Sequence, residues 1–256
     1  MPMQNNTAQP KIAVDDYGLH PQIDKAIRTL VKQGIVQKVS VMANADYQAD
    51  PLPDHIETGL HVDLTTPRCF GGKPFASSPF QLLRSPHLSV TALENRIESQ
   101  YNHLISLGFK ITHIDTHQHI HLLSPILQAI LNFASTHNIP NIRCLKLQTR
   151  HHPFYIRSLL QCGFFKQAIK LQALYAGGYT IKSKLTHLKP PPNLILMPLA
   201  QGGNYPKLFN KFVHRFQNQN AELVAHPGHL VDIPNEPYIK GREIEYQALL
   251  ELATKP

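Results

Sequence analysis

The 256 residues suffice for one ordinary domain, and 42% apolar against 16% charged residues is the balance of a folded chain rather than a disordered one. Thirteen Gly and 21 Pro, scattered, exclude a low-complexity or collagen-like chain; no apolar run approaches the roughly 18–20 residues of a membrane span, and the polar opening MPMQNNTAQPK lacks the apolar core of an export signal. The net charge of +8 is spread along the chain, its densest basic stretch (Lys182, Lys184, Lys189) interrupted by apolar and Pro residues, which argues against specific nucleic-acid binding.

Three cysteines without a CxxC pair, Cys69, Cys144 and Cys162, argue against a disulfide framework and fit a reducing, cytoplasmic setting. After a disordered start over residues 1–10, the chain reads as a single domain. KIAVDDYG (11–18) predicts a strand ending in two carboxylates. Ile23, Ala26, Ile27, Leu30 and Val31 recur at helical spacing from Pro21, and Gly34 supplies the stop. Strands follow at VQKVSVMANA (36–45) and TGLHVDLT (58–65), then a loop at 67–90 and a helix from Thr91 to Leu107.

A fourth strand is expected from Lys110 to His121, a helix from Pro125 to His137, and a fifth strand at PNIRCLKL (140–147). Residues 151–188 carry helical spacing that Gly177-Gly178 interrupts. NLILMPLA (193–200) and AELVAHPG (221–228) predict the last two strands, and Arg242 to Ala253 the last helix. Strands separated by helices imply parallel pairing, so an α/β fold follows, either a (β/α) barrel or an open doubly wound sheet. No GxGxxG or GxxxxGK[ST] motif is present, and the polar residues crowd the C-terminal strand ends, the rim where barrel enzymes place their chemistry.

The strongest signal is KITHIDTHQHIHLL. In an extended chain His113, Asp115, His117, His119 and His121 share one face, and so many ionisable groups need a metal, a wet cavity or one another. A solvated edge strand is the plainer alternative. Either Asp115 or His113 is expected to support a ligand rather than to be one. Asp15-Asp16 adds two carboxylates that can reach one site only where their strand breaks; a helix N-cap ahead of Pro21 would explain one of them. His61 is a candidate ligand on a face shared with Asp63, its expected partner. His226, before Pro227-Gly228, is a candidate proton donor, with a surface loop histidine as the alternative. His229 stays ambiguous, and His151, His152 and His187 read as surface residues.

In order, VDDYGLHP, SVMAN, GLHVDLT, THIDTHQHIH, AHPG and the tail GREIEYQALL resemble the YdjC-like carbohydrate deacetylase family, whose usual forms include ADDFGL, GLHLNLT, HIDSHHHVH and CHPG. Gln118, Tyr17 and Ala225 depart from those forms, and residues 150–200 match poorly. The resemblance implies a deformed (β/α) barrel of about seven mostly parallel strands with one divalent cation, Mg2+ or Zn2+. It places the metal ligands at Asp16, His61 and His117, a free aspartate base at Asp15 and the C-terminal histidine at His226. The substrate implied is an acetylated amino sugar.

The expected chemistry is amide hydrolysis, with Asp15 as base and His226 as acid. Arg143 or a backbone N–H would assist at the oxyanion, although a salt bridge beneath the rim explains Arg143 equally well. One rival is a phosphoesterase, for which His119, His121 and Asp63 would supply a second metal site. The other is a non-catalytic carbohydrate- or nucleic-acid-binding protein retaining the metal site. The sequence leaves room for a homodimer.

Overall fold

Strand β1 (Lys11–Tyr17) runs through the middle of the molecule, buried from its second residue onward. The computed structural model describes residues 9–84, 88–181, 192–200, 202–231 and 238–253. His187, the stretch Lys182–Lys189 and residues 1–8 of the expected disordered start lie outside them.

Six further strands follow: β2 (Lys38–Val41), β3 (Glu57–Val62), β4 (Ile111–Thr116), β5 (Asn141–Ile142), β6 (Asn193–Leu196) and β7 (Ala221–Ala225). All pair in parallel, in the order β5-β4-β3-β2-β1-β7-β6. The two edge strands meet through a seam rather than a ladder: Leu194 N–H donates to Lys146 O at 2.8 Å, just beyond β5. The sheet is thus a curled, deformed barrel, as the family resemblance implies, and not the open doubly wound sheet that the element pattern also allowed. β5 forms only two residues of ladder, because beyond Ile142 the chain bends toward this seam.

The helices cover the outside because each carries an apolar stripe. In α1 (Pro21–Lys32), Ile23, Ala26, Ile27, Leu30 and Val31 are buried, His20 caps the first turn, and Gly34 ends it at φ 72°. Helices α2 (Pro79–Arg84), α3 (Val90–Ser106), α4 (Ser124–Thr136), α5 (His152–Gln161), α6 (Phe165–Ile181), α7 (Tyr205–Phe216) and α8 (Ile239–Ala253) follow. Helix α2 lies inside the stretch expected to be loop. Helix α7 is absent from the sequence reading, yet its signals are clear: Asn204 caps Lys207 N–H, and Leu208, Phe209, Phe212 and Phe216 form a buried stripe.

Gly177-Gly178 does not interrupt α6. A Cβ on Gly178 would collide with Leu145 O, and one on Gly177 would press on Leu122, so the pair lets the helix lie close against the barrel mouth. His151 and His152 are buried rather than on the surface, His151 against the Phe216 ring and His152 hydrogen-bonded to Leu147 O.

Candidate metal and catalytic site

Two adjacent residues of a regular strand point to opposite faces. Asp15 and Asp16 escape that rule because the β1–β2 register shifts between Val14 and Tyr17 and Asp16 adopts φ 66°. Aspartate tolerates this left-handed conformation better than most residues. Neither carboxylate caps α1; His20 does, with its ring accepting from Gln22 N–H at 3.1 Å.

Strand β4 ends at Thr116, five residues earlier than expected. Gln118 and His119 both take φ 56°, and the Thr116 hydroxyl accepts the His121 N–H, so residues 117–122 form a 3-10 turn. The single histidine face therefore does not exist. His113 and Asp115 point into the barrel, His117 turns across its mouth, and His121 folds back so that its Nδ1 meets Thr116 Oγ1 at 2.7 Å.

His61, Asp115, Asp16 and His117 meet at this mouth. His61 Nδ1 lies 2.6 Å from Asp115 Oδ1, and its Nε2 lies 3.2 Å from Asp16 Oδ1. His117 Nδ1 lies 2.9 Å from the same oxygen. The other Asp16 oxygen, Oδ2, accepts from Arg242 at 2.7 Å. Burial disfavours the Asp16 carboxylate, but Arg242 and His117 outweigh it and hold the group well below its ordinary range. Burial likewise opposes a charged His61, yet Asp115, Asp16 and Asp15 raise its imidazole to about 10.

Among the described residues, Asp16, His61 and His117 form one group whose ligand atoms could hold a metal ion, and Asp15, His61 and Asp115 form a second. The first fits better. When His61 Nδ1–H donates to Asp115, its Nε2 turns a lone pair toward a carboxylate oxygen, an arrangement that requires a proton or a cation between them. One oxygen and two imidazole nitrogens match zinc, and the three-ligand set leaves a position open. In the second group, Arg143 already neutralises Asp15 at 2.6 Å and Asp115 at 2.8 Å.

The Arg143 side chain is 1% exposed and also lies 3.7 Å from Glu222, which in turn pairs with Lys38. Its guanidinium is thus committed beneath the rim, the ion-pair alternative left open by the sequence. Asp15 Oδ1 is buried without a hydrogen-bond partner among the described residues, while its Oδ2 is held by Arg143. His226 Nε2 stands 3.7 Å from Asp15 Oδ2, and burial lowers this imidazole to about 4.

Asp63 does not partner His61. It orders the loop after β3 by accepting from Thr65 and Thr66 N–H at 2.9 and 3.0 Å, and it bonds the Thr66 hydroxyl. His119 and His121 do not assemble with Asp63 into a second ion site among the described residues. His229 pairs with Glu243 at 3.4 Å. Sequence reasoning missed Arg242 and Glu245, both buried on α8; Glu245 accepts the His226 N–H at 2.5 Å. Their spacing, i and i+3 in GREIEYQALL, places them on one helical face, and that charged pair amid an apolar stripe was the available signal.

The chain is similar to several known proteins. The chain is 29% identical over 150 residues to a carbohydrate deacetylase of Thermoanaerobacter pseudethanolicus, a match covering 50% of this chain and 57% of that one. It is 25% identical over 146 residues to a chitooligosaccharide deacetylase of Citrobacter koseri, covering 50% and 56%. The chain thus spans a little over half the length of these relatives. A carbohydrate deacetylase of Halalkalibacterium halodurans is 21% identical over 94% of both chains. In fold, the chain is similar to a crystal structure from Enterococcus faecalis V583 described as a candidate cellobiose-phosphate cleavage protein (TM-score 0.62, 15% identity, 95% and 92% coverage). The profile of the YdjC-like protein family matches residues 11–255, and the chain belongs to that family.

Proposed function

We propose that the chain is a metal-dependent carbohydrate N-deacetylase, one domain that hydrolyses the acetamide of an amino sugar such as a chitooligosaccharide or a glucosamine-bearing glycan or glycolipid. The observation that carries this reading is the convergence of Asp16, His61 and His117 beside Asp15, a carboxylate outside that set. The names of the relatives support the substrate class. Three free, buried cysteines support a reducing, cytoplasmic setting.

Asp16 Oδ1, His61 Nε2 and His117 Nδ1 would hold one divalent cation, zinc or magnesium. Bound there, it would supply Lewis-acid polarisation of the acetamide carbonyl and lower the pKa of water. Proton movement falls to the side chains. Asp15 Oδ1, the oxygen without a hydrogen-bond partner among the described residues, takes the proton of the attacking water. Arg143 fixes Asp15 through Oδ2 rather than touching the oxyanion.

His226 protonates the departing amine, which leaves poorly as an anion. Burial lowers this imidazole to about 4, and its Nε2 stands 3.7 Å from Asp15, so His226 relays to the amine the proton that the Asp15 carboxyl has taken from the water. Glu245 steadies His226 through its backbone N–H.

The test is acetate release from a panel of short N-acetylglucosamine oligomers. Release should stop with a chelator and return on adding zinc or magnesium. Turnover of a phosphoester with no acetate from any acetylated sugar would overturn the reading.

A further inference from the structure

The last helix reaches Asp16 through Arg242. Arg242 is 1% exposed, and its Nη2 donates to Asp16 Oδ2 at 2.7 Å across 226 residues of sequence. The opposite oxygen, Asp16 Oδ1, is the one near both imidazoles, at 3.2 Å from His61 Nε2 and 2.9 Å from His117 Nδ1. A carboxylate held in this way has one oxygen committed to a guanidinium and one directed at the site. We propose that Arg242 is a positioning residue that makes Asp16 a one-oxygen ligand of the cation, a role that rests on the metal site proposed above.

The surroundings fix the backbone and stem that carry that guanidinium. The Arg242 carbonyl accepts the Gly228 N–H at 3.2 Å, and its Nη1 lies 3.5 Å from His226 O. A Cβ on Gly228 would come within 3.4 Å of the Arg242 stem and 3.0 Å of Ile23. A Cβ on Gly241 would come within 2.7 Å of Ala200 O. The two glycines therefore admit the Pro-Gly turn and the helix start on either side of the arginine. Glu245, one turn further along α8, holds the His226 N–H. One face of α8 thus fixes both a metal ligand and the turn that carries the proton donor.

The other groups near Asp16 do not substitute for Arg242. Arg143 is engaged by Asp15, Asp115 and Glu222. Without Arg242, Oδ2 would lose its charge-assisted donor, and the carboxylate would be free to rotate or to chelate through both oxygens. Groups that orient metal ligands typically contribute about 10–100-fold in metal affinity.

The experiment is calorimetric titration of chelator-treated protein with Zn2+, for wild type, Arg242→Gln and Arg242→Lys, with circular dichroism recording the fold of each. Arg242→Gln should bind Zn2+ about 10–100-fold more weakly than wild type, and Arg242→Lys, which keeps a charge, should recover part of the loss. A folded Arg242→Gln with wild-type affinity would overturn the proposal while leaving the metal site standing. Wild type that binds no cation would overturn the site and this role together. A Zn2+-loaded crystal structure of the unmutated chain gives the same decision without a variant. Asp16 should contact zinc through one oxygen, with the other on Arg242; both oxygens on zinc, or Arg242 turned away, would refute it.

Discussion

His61 and Asp115 face each other across the β3–β4 ladder, and the imidazole Nδ1 lies 2.6 Å from the carboxylate. Paired neighbours on parallel strands present their side chains to the same face, so this contact is built into the register of the sheet. It fixes which ring nitrogen is left to face Asp16 and the cation proposed there. Asp115→Asn removes the charge that favours Nδ1–H. Zinc affinity should fall about 10–100-fold by calorimetric titration. An unchanged affinity would mean that Asp115 serves only as a counter-ion to Arg143.

His61 and His226 should separate cleanly under mutation. His61→Ala removes a proposed ligand and should abolish tight cation binding. His226→Ala leaves the three ligands intact, so it should bind zinc as wild type does but lose about 10²–10⁴-fold in kcat. Metal analysis beside steady-state kinetics checks both. Equal metal loss in the two variants would refute the division of labour.

Arg143 is surrounded by Asp15, Asp115 and Glu222 in the barrel interior. Arg143→Met would leave buried carboxylates without compensation, a change that costs about 3–5 kcal/mol in comparable cases. Urea unfolding of the chelator-treated protein measures it. A loss under about 1 kcal/mol would place this cluster with solvated surface pairs instead.

Glu245 gives the stability a pH signature. Burial raises its carboxyl from 4.5 to about 8, so between those values the folded chain holds a proton that the unfolded chain has released. Its contribution is complete below about pH 4.5 and fades as pH rises through about 8. Glu245→Gln keeps an acceptor for the His226 N–H and cannot ionise. The wild-type melting temperature should therefore drop more steeply from pH 6 to 9 than that of the variant. Parallel slopes in the two thermal series would contradict it.

Much of this architecture was legible in the chain. Apolar runs ending in Asp15-Asp16, His61 and His226 marked the strand ends, because a buried parallel strand must be apolar until it reaches the rim. The histidine series after Thr112 was misleading. Its two-residue periodicity matched a strand, while the turn at His117 depends on a Thr116 hydroxyl capturing an amide, a local competition that spacing does not record. Gly177-Gly178 resembled a helix stop but serves close packing against Leu145 and Leu122. The link from Arg242 to Asp16 was hidden for another reason: periodicity describes neighbours along the chain, and these two residues meet only after the barrel has closed.

The most direct measurement is the number of metal ions bound per chain, by elemental analysis after equilibrium dialysis, in wild type, Asp15→Asn, Asp16→Asn and His117→Ala. The account predicts one ion in wild type and in Asp15→Asn, and none held tightly in the other two. Two ions in wild type, or an Asp15→Asn protein as empty as Asp16→Asn, would contradict it.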